Sequence, residues 1–453
     1  MTETTGRDGA DQQLPTVVQP DALGVQAGGL ALDQIPPQQL APETGGPDRE
    51  PDSRWTDALR AATTGTFAIS VLAIFLALVA GAILIAVTNP QVQQASGYFF
   101  AAPGDTFTAI GNAVGGAYSA LFSSAIYNFS APTFALGIES FTNTLSISTA
   151  IIAAGLGIAL SFRVGLFNIG GQGQMLIAAV AAGLVGFDLH LPAGLHILVA
   201  LIAALAGGAL WAAIAGFLKA RTGAHEVIVT IMLNYIALYL LNYLLTTPVL
   251  QAPGSNDPKT PAILPSAQYP SLFGRSYGVD IGFIIVIIVT VAVWWLMERS
   301  SLGFKFRAVG ENPTAARTAG ISVKSIYVWT MVVSGALVGL AAASQVLGTT
   351  LLGGFGSDID AGIGFTAITV ALLGRSRPFG VFVAGILFGA LQNGGPSMQA
   401  AVGVPVEVVA VVQSVVVLFI AAPPLVRAIF RLPSPVAKRV SKRGKPASKV
   451  VAG

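Results

Sequence analysis

Apolar residues fill the chain between about residue 61 and residue 430, and they come in long blocks with no clear polar face. Run length alone marks ten blocks: 65–88, 145–162, 172–186, 196–218, 227–245, 281–297, 326–347, 362–373, 379–391 and 404–429. A helix that crosses hydrocarbon needs about 20 residues. Blocks 172–186, 362–373 and 379–391 fall short of that and adjoin glycine-rich sequence, so broken helices are expected there. The pattern predicts an all-α polytopic membrane protein with about ten transmembrane helices. An amphipathic run at 107–129 is expected as a helix at the outer surface, because its glycine and asparagine content argues against a span.

Composition agrees. The 453 residues are 53% hydrophobic and 10% charged, against about 25% charged in soluble domains. The charges are also segregated. Residues 1–60 hold ten acids and four bases, with much Gly, Pro and Gln and no apolar periodicity. They are expected to form a disordered acidic tail, distinct from a permease domain at 61–430 and a basic tail at 431–453. Loop cations fix the expected orientation. Arg163, Lys219, Arg221, Arg299, Lys305, Arg307, Arg317, Lys324, Arg375 and Arg377 fall on alternate loops with both tails, and the other loops carry Lys259 and Arg275. Bases concentrate on the cytoplasmic side, so both termini are placed in the cytoplasm of a bacterial plasma membrane. The basic tail reads as an anchor at anionic lipid rather than a nucleic-acid arm.

A faint repeat is visible. Residues 165–186 and 353–374 match at five of 22 positions when offset by 188, including Gly165/Gly353, Phe167/Phe355 and Gly186/Gly374. Blocks 2–5 and 7–10 are an odd number of spans apart. Equivalent helices then run in opposite directions, an inverted 5+5 repeat typical of transporters.

Candidate chemistry is sparse and mostly neutral. In 163–174, RVGLFNIGGQGQ, four glycines and the amides Asn168, Gln172 and Gln174 separate two apolar runs. Irregular backbone at membrane depth is tolerated where it is buried or lines a wet cavity. The amides therefore either line a path for a polar neutral solute or bond between helices. The same two readings apply to Asn234, Asn393 and Gln413. Glu226 and Glu407 stand near span starts, where a helix dipole favours a carboxylate. Asp358 and Asp360 precede block 8 and are candidates for capping, solvation or docking of an outer partner. Residues 303–324 form a soluble inner loop: Asn312 suits an N-cap, Pro313 the first helical position and Gly320 the residue beyond the end. A short helix at 313–319 is expected, fit to insert into a partner's groove.

Several chemistries are missing. Cysteine is absent, the three histidines (His190, His196, His225) form no metal motif, and no GxxxxGK[ST] loop occurs. No metal site is expected, and an ATPase would have to be another subunit. No chain of ionisable residues crosses the apolar blocks, so an ion-coupled secondary transporter is the weaker alternative.

Four stretches carry a family resemblance: 163–174, 222–244 (TGAHEVIVTIMLNYIALYLLNYL), 302–322 (LGFKFRAVGENPTAARTAGIS) and 362–395. Together they resemble the permease subunit of bacterial ABC importers in the ribose/branched-chain amino-acid superfamily, most of all its nucleoside-type branch served by basic-membrane-protein lipoproteins. The resemblance implies a type II-like permease that pairs with a second permease subunit, often as a heterodimer. It implies a cytoplasmic ATPase that binds ATP-Mg, and an extracellular solute-binding lipoprotein. It places a coupling loop at Gly310, Glu311, Asn312, Pro313, Ala315, Ala316, Arg317 and Gly320. It maps a Gly-rich broken segment of the translocation path onto Asn168, Gly170, Gln172, Gly173 and Gln174; with Glu226, Asn234, Asn393, Glu407 and Gln413 these are the path candidates, for a nucleoside or a simple sugar such as ribose as solute. Gly171-Gln172 stands where relatives often have Ala-Glu.

Overall fold

The computed structural model describes residues 66–348, 353–405 and 407–430. Both expected tails, 1–60 and 431–453, lie outside the described residues. The described elements are helices α1 (Thr66–Thr88), α2 (Pro90–Ser96), α3 (Pro103–Ala125), α4 (Phe134–Arg163), α5 (Gly171–Asp188), α6 (Leu195–Thr222), α7 (Glu226–Leu244), α8 (Ile281–Arg299), α9 (Ser301–Glu311), α10 (Pro313–Thr318), α11 (Val323–Val346), α12 (Ile363–Leu373), α13 (Pro378–Val402), α14 (Glu407–Ala421) and α15 (Pro423–Ile429). Seven of these are long and apolar enough to cross a bilayer: α1, α4, α6, α7, α8, α11 and α13. The other three expected blocks form the shorter helices α5, α12 and α14, of 18, 11 and 15 residues.

Two boundaries differ from the sequence reading. Block 145–162 extends back to Phe134 in the 30-residue α4. The added turns are rich in hydroxyls, which bond locally or across: Thr142 Oγ1 donates to the Glu139 carbonyl at 2.9 Å, and Thr144 Oγ1 to the Ala125 carbonyl at 2.7 Å. Block 379–391 was expected to break, but α13 runs on through Gly394-Gly395-Pro396 to Val402. Those glycines serve a crossing, since a Cβ on Gly394 would lie 2.8 Å from the Leu121 carbonyl of α3.

The run at 107–129 forms α3, which is not among the helices long and apolar enough to span. It buries Ala113, Ala117, Leu121 and Ala125, spaced by four on one face, against α13 and α1. The hydroxyl of Tyr118 reaches the Leu78 carbonyl of α1. Small residues let the backbones approach closely, the usual means of holding helices together where lipid is as apolar as the side chains.

The core repeats one crossing twice. The helix α4 packs along α13, and α11 packs along α6. Both crossings are built on small residues: Gly385 and Gly389 against Ile152 and Ser148 in one, Gly335 and Gly339 against Gly208 and Ala204 in the other. Between them α4 meets α11, with Gly157 so close to the Ser334 carbonyl that a Cβ would lie 2.6 Å from it. The short helices α5 and α12 pack beside these crossings, α5 against α6 and α11 and α12 against α4 and α13, and against each other.

Candidate functional site

The helix α4 ends at Arg163, and Gly165 takes a left-handed φ of 78° that turns the chain back. Residues 164–170 then fold against α4, with the Leu166 N–H donating to the Ser161 carbonyl at 3.0 Å. This places irregular backbone inside the bundle, where every polar group needs a protein partner. Asn168 is fully buried. Its Oδ1 accepts from the Gly170 N–H at 3.0 Å and from Gln174 Nε2 at 2.9 Å. Its Nδ2 donates to Ser334 Oγ at 2.9 Å and to Gln174 Oε1 at 3.2 Å. Ser334 Oγ donates onward to the Gly157 carbonyl at 2.7 Å.

The helix α7 clamps the same turn from the other side. Asn234 Nδ2 donates to the Ile169 carbonyl at 2.9 Å, and its Oδ1 accepts the Gly173 N–H at 2.8 Å. That N–H belongs to the first turn of α5 and has no partner within the helix, so Asn234 caps α5 from a neighbouring element. Thr230 Oγ1 accepts from the Ile169 N–H at 3.4 Å. Glu226 is 7% exposed, forms an ion pair with Lys219 at 2.7 Å and faces the Phe167 N–H. Glu226, Thr230 and Asn234 are four residues apart and therefore share one face. Asn168, Gln174, Asn234 and Glu226 accordingly hold the re-entrant turn in this structure through buried, bonded side chains.

The two short helices meet at their N-termini. A Cβ on Gly171 would lie 2.9 Å from the Gly364 carbonyl. Beside this contact the half-buried Gln172 side chain is hydrogen-bonded to the Asp360 carboxylate, which the Gly362 N–H also faces. Asp360 is 5% exposed, and its Oδ2 has no hydrogen-bond partner. The positive ends of two helices converge there and favour a negative group. Asp360 is thus buried where the two short helices start, and the Gly362 N–H facing it matches capping, one of the three readings the sequence left open. Asp358 is exposed, and with Lys259 and Gln345 it lines a cavity of about 240 Å³ next to the 246–280 loop.

The remaining candidates separate. Asn393 Nδ2 reaches the Ser124 carbonyl (2.8 Å), the Ser140 carbonyl (3.0 Å) and Thr144 Oγ1 (3.1 Å), so it ties α13 to α3 and α4. Glu407 is exposed at the start of α14. Gln413 is half-buried and lines a cavity of about 330 Å³ with Thr366, Thr369 and Ser414. Sequence reading missed the opposite face of α7, where Tyr235, Tyr239 and Tyr243 are 54%, 68% and 66% exposed. Their four-residue spacing was the available signal. It also missed Ser334 and Thr230, which no local pattern singles out.

The loop at 303–324 folds as its capping residues dictate. Asn312 Oδ1 accepts the Thr314 and Ala315 N–H groups, both at 3.0 Å, and starts the six-residue α10. Gly320 closes it with φ 82°. The helix ends at Thr318, one residue before the expected stop. Pro313, Ala315 and Arg317 are exposed, whereas Ala316 is 4% exposed and faces the protein. Glu311 is exposed, but Gly310 packs on the Arg163 carbonyl and so seats the loop on α4.

Comparison with known proteins fits this geometry. The profile of the family described as "Branched-chain amino acid transport system / permease component" matches residues 140–421. The chain is 41% identical over 287 residues to the guanosine ABC transporter permease protein NupP of Bacillus subtilis (strain 168), covering 62% of this chain and 80% of the relative. It is 35% identical over 288 residues to the glucose ABC transporter permease protein TsgB13 of Haloferax volcanii, covering 62% and 75%. It is 34% identical over 310 residues to the nucleoside ABC transporter permease protein NupB of Lactococcus lactis subsp. cremoris (strain MG1363), covering 67% and 83%. No solved structure matches the chain.

Proposed function

We propose, from the premise that the chain belongs to the branched-chain amino acid transport system permease family, that this ABC importer permease subunit forms one half of a path for nucleosides. The observation that carries the solute assignment is the tyrosine face of α7, read together with the relatives named for guanosine and nucleosides. Tyrosine belongs at the edges of a bilayer, where its hydroxyl meets water. Tyr235 is the tenth of the 19 residues of α7, so its hydroxyl stands at mid-span, where lipid offers no hydrogen bond. Such a face suits a path shared with a second permease subunit. A purine ring stacking on tyrosine gains about 1–3 kcal/mol.

In this reading the ATPase, carrying ATP-Mg, docks on α10, and a solute-binding lipoprotein delivers cargo at the opposite end beside Asp358. Both termini face the cytoplasm. ATP binding pushes α10, which moves α9 against the end of α4 and so shifts the re-entrant turn and α5. Each access state need be favoured by a few kcal/mol through contacts that differ between states.

A second reading, a simple sugar as cargo, draws on the 35% identity to a glucose permease. Competition separates the two. In proteoliposomes containing the assembled importer, unlabelled adenosine should suppress uptake of labelled guanosine while glucose and ribose do not. Suppression by glucose at equal concentration, or no guanosine uptake at all, contradicts the nucleoside assignment.

A further inference from the structure

A cavity of about 280 Å³ opens where the end of α6 meets the start of α11, and none of its side chains belongs to the re-entrant site. Its polar edge is made by Arg221 and Lys324, both exposed. The described residues form three ion pairs, Arg163–Glu298, Lys219–Glu226 and Arg307–Glu298, and neither cation takes part in them. Arg221 instead lies over the Phe217 ring, 5.4 Å from its centre. The first turn of α11 adds N–H groups, because the N-cap Ser322 makes no side-chain capping bond. Two cations and a helix N-terminus thus converge with no acid to answer them.

The wall below this edge is apolar. Phe217 and Trp329 are 53% and 54% exposed, and Val328 lines the same cavity. Trp329 follows Lys324 by five residues, about 7–8 Å along the helix axis. Further along α6, Ile214 and Leu210 continue the exposed apolar stripe, with Leu210 at 71%. A phosphate over hydrocarbon chains matches this order of chemistry, with tryptophan at the boundary. An acidic protein surface would meet the cations but leave the Phe217–Trp329 wall uncovered. A free phosphate would do the same.

We propose that this cavity is a binding site for the headgroup of an anionic phospholipid, with the acyl chains lying along α6. The phosphate sits between Arg221, Lys324 and the first turn of α11. One chain packs against Phe217 and Trp329.

Native mass spectrometry of the full chain in neutral detergent tests this, with phosphatidylglycerol or phosphatidylcholine added. The wild type should retain phosphatidylglycerol in preference to phosphatidylcholine. The R221Q/K324Q variant should lose affinity for phosphatidylglycerol about thirtyfold, the effect of two cations near an anionic surface. W329A should weaken retention while leaving both cations in place. Soluble glycerol 3-phosphate should not displace the lipid at equal concentration. Melting temperatures check that the variants fold; both cations are exposed, and if the double variant fails, K324Q alone carries the comparison. Equal retention of the two lipids, unchanged binding in the charge variants, or displacement by glycerol 3-phosphate overturns the proposal. So does loss of ATPase association in R221Q/K324Q with lipid binding intact, which would make the cavity part of the subunit contact.

Discussion

Replacing Asn234 with alanine tests whether the re-entrant turn is held from α7. The side chain is 4% exposed and makes two hydrogen bonds, at 2.8 Å from the Gly173 N–H and at 2.9 Å to the Ile169 carbonyl. Alanine leaves both backbone groups unpaired in a buried setting. Each orphan costs about 1–3 kcal/mol, so the expected loss is about 2–6 kcal/mol, toward the lower figure if a water enters the space left behind. At about 2 °C per kcal/mol for a chain of this size, the thermal midpoint of the full chain in detergent should fall by about 4–12 °C. The control is Ile236→Ala, on the exposed face of the same helix and 53% exposed; its change should stay within about 0.5 kcal/mol. An Asn234→Ala midpoint within 1 °C of wild type would refute the reasoning. It would mean that the turn is held by the Asn168–Gln174–Ser334 network alone.

Other expectations follow from the same contacts. Ala315→Glu places a charge on the exposed face of α10 and should abolish co-purification of the ATPase without lowering the melting temperature; normal association would refute the docking role. Gly208→Ala sets a methyl against the Gly335 carbonyl at the α6–α11 crossing and should destabilise by several kcal/mol. Gly115→Ala on α3, with nothing within 4 Å, should be neutral or gain up to about 1 kcal/mol. Thermal unfolding ranks the two, and the opposite order would contradict the packing. Lys219→Met leaves Glu226 without its cation and should cost up to about 3 kcal/mol, part of which Glu226→Gln in the same chain restores; a strictly additive double variant would show that the pair is not coupled.

Much of this architecture was legible in the residues, and the exceptions have physical causes. The ten apolar blocks correspond to seven long helices and three short ones because run length against bilayer thickness is a strong constraint. The short helix α10 was readable from Asn312, Pro313 and Gly320, since capping is local chemistry. The burial of α3 was not, because a helix of alternating small and polar residues looks interfacial until its partner supplies Gly394. The burial of Asp360 was not legible for a related reason: it lies where the starts of α5 and α12 meet, and a chain read in order does not show which N-termini converge. The partners that hold the 164–174 turn, Ser334 and Asn234, lie 166 and 66 residues away from Asn168, so that network was not legible locally.

The central claim is that this chain is a passive path whose direction is imposed by a separate ATPase. Guanosine uptake into proteoliposomes holding the chain with the second permease subunit and solute-binding lipoprotein proposed for it, measured with and without the ATPase and ATP, tests it most directly. Uptake against a gradient is expected with ATPase and ATP together and should vanish when either is withheld; accumulation that persists without the ATPase would contradict the account.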